Sequence, residues 1–451
     1  MRIGTVPRVG LGPRHLRLDP SFYLRRSGLR HLLERDETRH VSLSEIVAEL
    51  HDGARLPAAK TGIPLVRLSN VRACELDLTG LRCVDPAASK SWPEVRAGDV
   101  LFTRSAVPFR AAVVPGDAPV PLTVSAEITV IRTHAAVVPE YLAALLSTKA
   151  YSKILQDLAY RRSPSALRRL RLSDIRHLPV PLPGRGLQEE IRTTYHAASR
   201  LTEDARDELG RVVSAAHSEI DARLGQSEVP GQRFVVSRSD VERRWDVGYM
   251  RGQVLRHALA QKTSMAPLRS LASPVPASLR GIDENDVVIA VQANDINEST
   301  LLIEGAQSAR LIDLSSRMRQ PLTVGDVLLC TTGQGEQVAY LDKSLDTEGR
   351  PLLGSATFTA LRFNDTPRFH AVALAHPVVR AQLRLLSSGT VQRFVNKRDL
   401  DELLIPTLGM VWREDFDTRI DRAMQRRREA LGARDHLLAA TEQFVQKGWR
   451  T

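Results

Sequence analysis

The sequence has 451 residues, of which 43% are hydrophobic, and a formal net charge of +11. This length predicts two or three globular domains, and the hydrophobic content excludes a disordered chain. No apolar run approaches the ~18–20 residues of a membrane span. The N-terminus shows no apolar signal-peptide core, so we expect a cytoplasmic protein without membrane contact.

Basic residues outnumber acidic ones by 63 to 52, and 55 of the basic residues are Arg. A GC-rich genome also enriches a protein in Arg, but it does not by itself explain an excess of basic over acidic side chains. The excess favours a polyanionic partner. The three cysteines, Cys74, Cys83 and Cys330, have no metal-ligand spacing, so we expect them to be reduced and structural.

The first half of the chain predicts a mixed domain of helices and short strands. A helix signal at 42–50 precedes strand-like runs, and a Gly-Asp turn feeds the apolar strand at 98–101. A helix at 139–148, a basic stretch at 160–177 and a short strand ending in Pro181 follow. A long amphipathic helix, apolar at every third or fourth position, then runs from about 187 to 224.

The second half repeats the first in the same order. The matched pairs are Arg-Leu-Asp-Pro-Ser-Phe-Tyr at 17–23 with Arg-Trp-Asp-Val-Gly-Tyr-Met at 244–250, Gly-Asp-Val-Leu at 98–101 and 325–328, 129–132 with 359–362, and 172–183 with 397–408. Ordered matches at offsets of 225 to 230 residues indicate tandem duplication, in which each copy is a domain. We interpret Asp19 and Asp246 in the repeated opening segment as helix caps or turn formers.

The second copy also closes with a long helix, from about 412 to 447. Met424, Leu431, Leu438 and Val445 form a heptad seam, each with an apolar residue before it. We expect this helix to pair antiparallel with the first long helix, as a pseudo-twofold relation between the copies allows. The alternative is that each helix packs only on its own domain.

The duplicated pattern resembles the specificity subunit of type I restriction–modification systems. The residues that carry the resemblance are the two Gly-Asp-Val-Leu segments, the exits at 178–183 and 403–408, the helix start at 187–191 and the two opening segments. The second copy departs from the family pattern, because Gly-Met-Val-Trp-Arg-Glu-Asp-Phe at 409–416 lacks the usual acidic–Gln pair.

The resemblance implies an α+β fold with two similar mixed α/β target recognition domains, separated by two long antiparallel helices. The corresponding boundaries are 1–183 for the first recognition domain, 184–226 for the first long helix, 227–408 for the second domain and 409–451 for the second helix. The resemblance further implies double-stranded DNA as the ligand, two copies of a methyltransferase subunit held by the helices, and a restriction–translocase subunit further out.

Motifs of the common enzyme classes are missing from the sequence. It contains no Gly-Lys for a phosphate loop, no Gly-x-Ser-x-Gly and no Pro-Pro for an amino-methyltransferase loop, and no acidic residue stands two positions before any Lys. We therefore expect a non-catalytic protein without a cofactor or metal.

Two loops in each copy are the candidate DNA-binding segments, because Arg suits both phosphate and guanine, and Gln and Asn suit adenine. The candidates in the first copy are Arg104, Ser105, Arg110, Arg161, Arg162, Ser163, Arg168 and Arg169. Those in the second copy are Thr332, Gln334, Gln337, Gln392, Arg393, Asn396 and Lys397. A solvated helix face for the Arg-rich stretch, and a plain hairpin for the Gly-rich loop, are the alternatives.

The sequence thus predicts a specificity subunit that reads a bipartite DNA target and recruits methyltransferase and restriction subunits in a phage-defence complex. A DNA-recognition adaptor of a different anti-phage complex, and a two-headed scaffold that binds only proteins, are the alternatives.

Overall fold

A computed structural model of the chain describes residues 40–450 except 86, 88–91, 106–108, 160–168, 226–230, 232, 280, 299, 305, 333–335, 344, 346–348 and 390–393. The chain divides into two compact units, Met1–Thr202 with Glu429–Thr451, and Glu203–Arg428. Each unit contains one half of each long helix. None of the described helices is long and apolar enough to cross a membrane.

The first unit begins, in its described part, with short strands. The elements are β1 (His40–Ser42), α1 (Leu43–Ile46), β2 (Val47–Asp52), β3 (Ala58–Ala59), β4 (Ile63–Val66), β5 (Val71–Arg72), β6 (Glu75–Leu76), β7 (Arg82–Val84), β8 (Val100–Thr103), β9 (Ala111–Val113), β10 (Thr123–Val124), β11 (Ile128–Thr133), α2 (Pro139–Ser147), α3 (Lys149–Leu158), α4 (Leu172–Arg176), β12 (Pro179–Pro181) and the long helix α5 (Arg185–Leu224).

The second unit begins with two helices after α5 and then follows the plan of the first. Its elements are α6 (Arg238–Arg243), α7 (Val247–Ala260), β13 (Met265–Pro267), α8 (Leu268–Leu271), β14 (Ala272–Pro274), β15 (Val287–Val291), β16 (Ile296–Asn297), β17 (Leu302–Ile303), β18 (Gln307–Arg310), β19 (Met318–Leu322), β20 (Val327–Cys330), β21 (Val338–Tyr340), β22 (Leu352–Ser355), β23 (Phe358–Phe363), α9 (Pro367–Ala375), α10 (Pro377–Leu386), α11 (Lys397–Asp401), β24 (Leu404–Pro406) and the long helix α12 (Met410–Arg450).

The strand orders confirm that the two copies share one fold. The main sheet is β2-β11-β8-β9 in the first unit and β14-β23-β20-β21-β17-β16 in the second. Written in matching directions, a second sheet has the order β3-β7-β4-β10 in the first unit and β18-β15-β22-β19 in the second. Each contains one equivalent parallel pair, β4 with β10 and β15 with β22. The antiparallel pairs β1–β12 and β13–β24 close both domains. One difference is that the β16–β17 hairpin joins the main sheet, whereas β5–β6 forms a sheet of its own.

The repeated Gly-Asp turn has the same structural task in both domains. Both glycines adopt positive φ, +84° and +98°, which glycine tolerates best. Each following carboxylate is buried and accepts a hydrogen bond from the backbone N–H three residues earlier. Asp99 then binds the Nε of Arg132 at 2.8 Å, and Asp326 binds that of Arg362 at 2.9 Å. Two of the matches that reveal the duplication are therefore the two sides of one ion pair.

The long helices complete the core of each domain. Ile191 and Tyr195 of α5 and Leu437 of α12 are buried in the main core of the first unit. The second unit's largest core likewise contains α5 residues from Leu209 to Leu224 and α12 residues from Phe416 to Met424. The two helices therefore pack into the domain cores, as an apolar stripe at helical spacing predicts.

Within the second unit the helices run antiparallel, as predicted. Arg426 pairs with Glu208, and the Arg223 guanidinium lies 5.1 Å from the ring centroid of Trp412, so residue numbers rise on one helix as they fall on the other. Leu201 belongs to the apolar stripe predicted for α5, between Ala198 and Ala205, but it is 51% exposed, so the prediction is wrong at that position. A straight helix of 3.6 residues per turn drifts away from a fixed three-and-four spacing over many turns.

Each long helix also accepts hydrogen bonds from backbone N–H groups at the start of another helix in the same unit. Gln188 accepts a hydrogen bond from the N–H of Val138, which precedes α2, at 2.9 Å. Asp417 accepts hydrogen bonds from the N–H groups of Arg368 and Phe369 in the first turn of α9, at 2.9 and 3.1 Å. In the two copies, different residues of the long helices thus accept backbone N–H groups at the start of the corresponding helix.

A fully buried ion pair joins α12 to the β16–β17 hairpin in the second unit. The Nε and an Nη of Arg427 donate to the two carboxylate oxygens of Glu304 at 2.9 and 2.7 Å. Asn297 and Thr300 donate to the same carboxylate, both at 3.2 Å. A buried bidentate pair with its remaining acceptors satisfied is geometrically specific, and it becomes costly when one partner is removed.

We expect Arg427→Met to lower the free energy of unfolding of the second unit by ~3–5 kcal/mol, because Glu304 would remain buried without its counter-charge. Urea unfolding measures this change. The matched control is Arg426→Met, one residue earlier, where the side chain is 63% exposed; its loss should cost about 1 kcal/mol or less. Adding Glu304→Gln to Arg427→Met should recover part of the loss, and equal effects of Arg427→Met and Arg426→Met would contradict the prediction.

Two histidines, His217 of α5 and His376 before α10, lie in contact in the second unit. The Nδ1 of His376 accepts the N–H of Val378 and so caps α10, and its Nε2 lies 3.2 Å from Asp221. The ring of His217 packs edge-on against it at a centroid distance of 4.9 Å. Burial lowers the pKa of His376 to about 4 from its usual 6.5, although Asp221 opposes that shift.

Because the folded-state pKa of His376 is depressed, its neutral form stabilises the fold fully above pH ~6.5, and this contribution falls as the pH drops toward 4. We expect the unfolding free energy of the second unit to decrease over that range. His376→Asn keeps a capping oxygen without the titration and should flatten the decrease. His134→Asn, on the surface of the first unit, is the control that should leave the wild-type profile. An unchanged slope in His376→Asn would contradict the assignment.

Candidate nucleic-acid interface

The two predicted DNA-binding loops of the first copy meet at their bases. The N–H of Leu170, which follows the Arg-rich stretch, donates to the carbonyl of Arg104 at 2.9 Å. The N–H of Arg104 donates to the carbonyl of Glu127, also at 2.9 Å, and the Arg169 guanidinium donates to the carbonyl of Ala126 at 3.2 Å. Segments about 60 residues apart in the sequence therefore share one edge of the main sheet.

The second copy repeats this arrangement. The N–H of Val395 donates to the carbonyl of Thr331 at 3.1 Å, and Phe394 pairs with both Thr332 and Ser388 through isolated bridges. The N–H of Thr331 donates to the carbonyl of Thr357 at 3.1 Å, the counterpart of the bond between Arg104 and Glu127. Each domain thus presents one composite edge, built from the segment after the Gly-Asp strand and the segment before the last short helix.

Several predicted contact residues lie outside the described residues. They are Arg161, Arg162, Ser163, Arg168, Gln334, Gln392 and Arg393. Arg169 and Leu170 in the first copy, and Phe394 and Val395 in the second, directly follow two of these segments and join the two loops. The assignment of these seven residues to DNA contact stays a prediction.

The described candidates of the first copy already take part in contacts within the protein. Arg104 forms an ion pair with Asp52, whose other carboxylate oxygen accepts the hydroxyl of Thr129. Ser105 is buried, and Arg110 is half-buried with its backbone paired to Thr103. Arg169, as described above, is bound to a backbone carbonyl. Their contact with DNA remains a prediction, in which the ion pair orients Arg104.

The described candidates of the second copy differ in exposure. Lys397 is exposed in the first turn of α11, while Asn396 caps that helix by accepting the N–H of Asp399 at 2.9 Å. Gln337 donates to Glu298 at 3.0 Å, and Thr332 is half-buried. Lys397 is therefore the described candidate best placed for a phosphate, and the side-chain oxygen of Asn396 is engaged in structure.

Carboxylates partly neutralise the positive charge of the second edge. Glu336 lies 3.2 Å from Arg384, and Arg380 lies 3.9 Å from Glu298. Burial raises the pKa of Glu336, although both arginines act to lower it. These pairs leave less free positive charge on the second edge than its arginines alone suggest, so the two domains present different chemistry on the same fold.

The repeated opening segment contributes to the second edge, which sequence reasoning did not anticipate. Asp246 accepts the N–H of Tyr249 at 3.1 Å and caps α7, which confirms its predicted role. Arg244 donates to the carbonyls of Leu386 and Ser387 at 3.2 and 3.1 Å, at the end of α10.

The ring of Tyr249 connects the same segment to the other side of the loop. The Arg244 guanidinium lies 5.0 Å from the centroid of this ring. The hydroxyl of Tyr249 lies 3.4 Å from a carboxylate oxygen of Asp399 in α11. The motif therefore clamps residues 387–396 at both ends. The counterpart segment of the first copy, residues 17–23 with Asp19, lies outside the described residues. The duplication of the motif was the available sign that the segment at 244–250 has a structural role.

Among the described residues, no group of three or more His, Cys, Asp or Glu side chains could hold a metal ion. Cys74 and Cys330 are buried free thiols, and burial raises the pKa of Cys74 to about 12. Neither thiol is therefore a ready thiolate nucleophile at neutral pH.

We expect Arg244→Ala to loosen the loop between α10 and α11, because the end of α10 would lose two charge-assisted hydrogen bonds. Hydrogen exchange of the Phe394 and Val395 amides should become faster, while exchange within the equivalent edge at Leu170 should not change. Arg238→Ala, at a 93% exposed position on the preceding helix, is the control that should leave all three amides as they are. Unchanged protection of the Phe394 and Val395 amides in Arg244→Ala would show that Arg244 does not hold this loop in place.

No protein-family model matches the sequence, and no curated protein matches it. Three similar solved structures concern type I restriction–modification systems. An HsdS subunit from Thermoanaerobacter tengcongensis has 15% identity and a TM-score of 0.29, with 91% of this chain and 96% of that chain covered. The S subunit from M. genitalium has 10% identity and a TM-score of 0.34, with 97% and 98% covered. A chain from a structure described as concerning complex assembly and conformational transition of the type I R-M system has 16% identity and a TM-score of 0.30, with 91% and 97% covered.

Proposed function

We propose that this protein is a non-catalytic DNA specificity subunit that reads a target in two separate parts, one with each domain. The observation that carries the proposal is the composite edge, which occurs twice. In both domains a segment with polar and basic residues after the Gly-Asp strand is hydrogen-bonded to the segment before the last short helix. A pair of loops held on a rigid sheet edge suits the reading of base edges in a groove.

The two edges have one backbone framework and different side chains, which supports two readers of unrelated half-sites. The first edge brings together Arg104 and Arg169, and Arg is the residue most often used to read guanine. The second edge is flanked by Thr332 and Lys397, with Gln and Asn residues in its loops. Since the framework is shared, specificity would reside in loop residues that can change without altering the fold.

The overall charge agrees with a DNA ligand. A net charge of +11 and a pI near 9.9 supply the long-range attraction that phosphate contacts need. Phosphate contacts release counterions, so binding should weaken steeply with salt. A protein that only scaffolds other proteins would show no such dependence on duplex DNA.

We further propose that the long helices hold methyltransferase subunits, in two copies, and that a restriction–translocase subunit joins outside them. The beginning of α12 exposes Met410, Val411 and Trp412, and Val411 is 79% exposed. Adjacent apolar side chains on a helix end favour a protein partner. Genes beside this one would test the context: a methyltransferase gene and a helicase–nuclease gene support restriction–modification, and an unfamiliar effector gene supports a different anti-phage complex that uses the same adaptor.

The two readers should fail separately. Arg168 and Arg393 occupy equivalent positions in the two candidate loops. We expect Arg168→Ala to weaken duplex binding by ~1–3 kcal/mol and to relax preference in one half of the target if Arg168 reads a base. If it contacts a phosphate, affinity should fall for all sequences and the salt slope should shrink by about one. Arg393→Ala should have the same effect through the other half.

The measurement is binding to duplex libraries randomised in either half-site, at two salt concentrations. Lys60→Ala, at an exposed position outside both loops, is the control for the loss of one positive charge. Full affinity in both Arg variants would indicate that these stretches do not contact DNA and would favour the alternative of a solvated face. A single contiguous target would contradict the two-reader proposal itself.

A further inference from the structure

The clamp in the opening segment leaves one of its bulky residues without a structural task. Arg244, Asp246 and Tyr249 hold the loop between α10 and α11, as described above. Trp245 stands between two of these clamp residues and is 85% exposed. Neither the cap of α7 nor the clamp requires an indole at this position.

A bulky apolar residue recurs at this place in the sequence of both copies. The first copy has Leu18 where the second has Trp245, each directly between the Arg and the Asp of the motif. A large apolar side chain that stays exposed contributes no burial free energy to folding. A position that is bulky and apolar in both copies, beside polar residues with structural roles, is better explained by a ligand that each domain binds.

The surroundings of Trp245 point to the loop that carries the candidate DNA contacts. Its neighbour Arg244 is hydrogen-bonded to the carbonyl of Ser387, the first residue of that loop. Within the loop, Phe394 is 49% exposed and Lys397 is exposed as well. Two exposed aromatic side chains and a Lys therefore belong to one local structure held together by the clamp.

We propose that Trp245 is a DNA-contact residue that packs its indole against the sugars and base edges of the second half-site, as an apolar wedge at a base step. This inference rests on the proposed function and adds a contact that is not made by the two loops. Apolar wedges and aromatic platforms are common ways to contact nucleic acid beside a basic loop. Leu18 would make the equivalent, smaller contact in the first half-site.

A protein partner fits this surface less well. The preceding helix α6 exposes an ion pair between Arg238 and Glu242, with side chains 93% and 63% exposed. A protein-docking site is expected to present a more continuous apolar patch. Val247, two residues after Trp245, is also exposed, at 66%, but it adds only a small apolar side chain. A single indole with charged side chains on the preceding helix suits a ligand that is itself charged along its backbone and apolar between its phosphates.

The test selects duplexes from a randomised pool with the full-length wild-type chain and then measures their binding to variants. We expect Trp245→Ala to weaken binding ~5- to 100-fold, as for loss of one aromatic–base contact, and Trp245→Phe to retain most of the affinity. Ile312→Ala, which also removes an exposed apolar side chain from the second unit, is the matched control and should bind as the wild type does. The thermal unfolding of Trp245→Ala should be unchanged, because the indole is exposed.

A second readout reports contact directly. In the variant W92F/W412F/W449F, Trp245 is the only tryptophan, and its fluorescence should be quenched by the selected duplex. Normal affinity of Trp245→Ala, or an unquenched indole in a complex that forms, would overturn this inference and leave the proposed function standing. If the wild-type chain enriches no duplex at low salt, the proposed function fails, and this inference fails with it.

Discussion

The completion of each domain core by the long helices is the constraint on which the rest of the structure depends. Both cores include buried residues of α5 and α12, such as Tyr195 and Leu437 in the first unit and Ile220 and Phe416 in the second. Burial of these apolar side chains supplies the main stabilising free energy. Because each helix contributes to both units, a change in either helix affects the domains as well as the connection.

Polar contacts add direction to this packing. The bidentate pair of Arg427 and Glu304 holds the β16–β17 hairpin against one face of α12. Asp417 and Gln188 accept hydrogen bonds from backbone N–H groups at the starts of α9 and α2. Buried polar contacts of this kind add little net stability beside apolar packing, yet they are costly to break. They therefore fix α2, α9 and the β16–β17 hairpin against the long helices.

The separation of framework and loop explains how one fold could serve two specificities. The backbone bonds of Leu170 to Arg104 and of Val395 to Thr331 join the segments of each edge and occur in both copies. The ion pairs of Asp99 with Arg132 and of Asp326 with Arg362 are also the same in both copies, at the opposite ends of the same strands. The loop contacts are different: an ion pair of Arg104 with Asp52 on one side, and a hydrogen bond of Gln337 with Glu298 on the other. The duplication has preserved what holds the edge in place and has changed what the edge presents.

The sequence by itself determined the duplication, the α+β class and the long helices. Ordered matches and helical periodicity can both be read from the order of residues along the chain, without knowledge of which residues meet in space. The sequence also located the cap at Asp246, since a carboxylate three residues before a helical N–H is a local contact. Only the tertiary structure decided that Asp99 meets Arg132, that Leu170 lies beside Arg104, and that Arg427 is buried against Glu304, because these partners are 33 to 123 residues apart or meet across separate elements. Leu201 and Asn396 show the same limit: a pattern assigns a residue to a face or a loop, but packing and hydrogen bonding decide whether its side chain is buried, exposed or engaged.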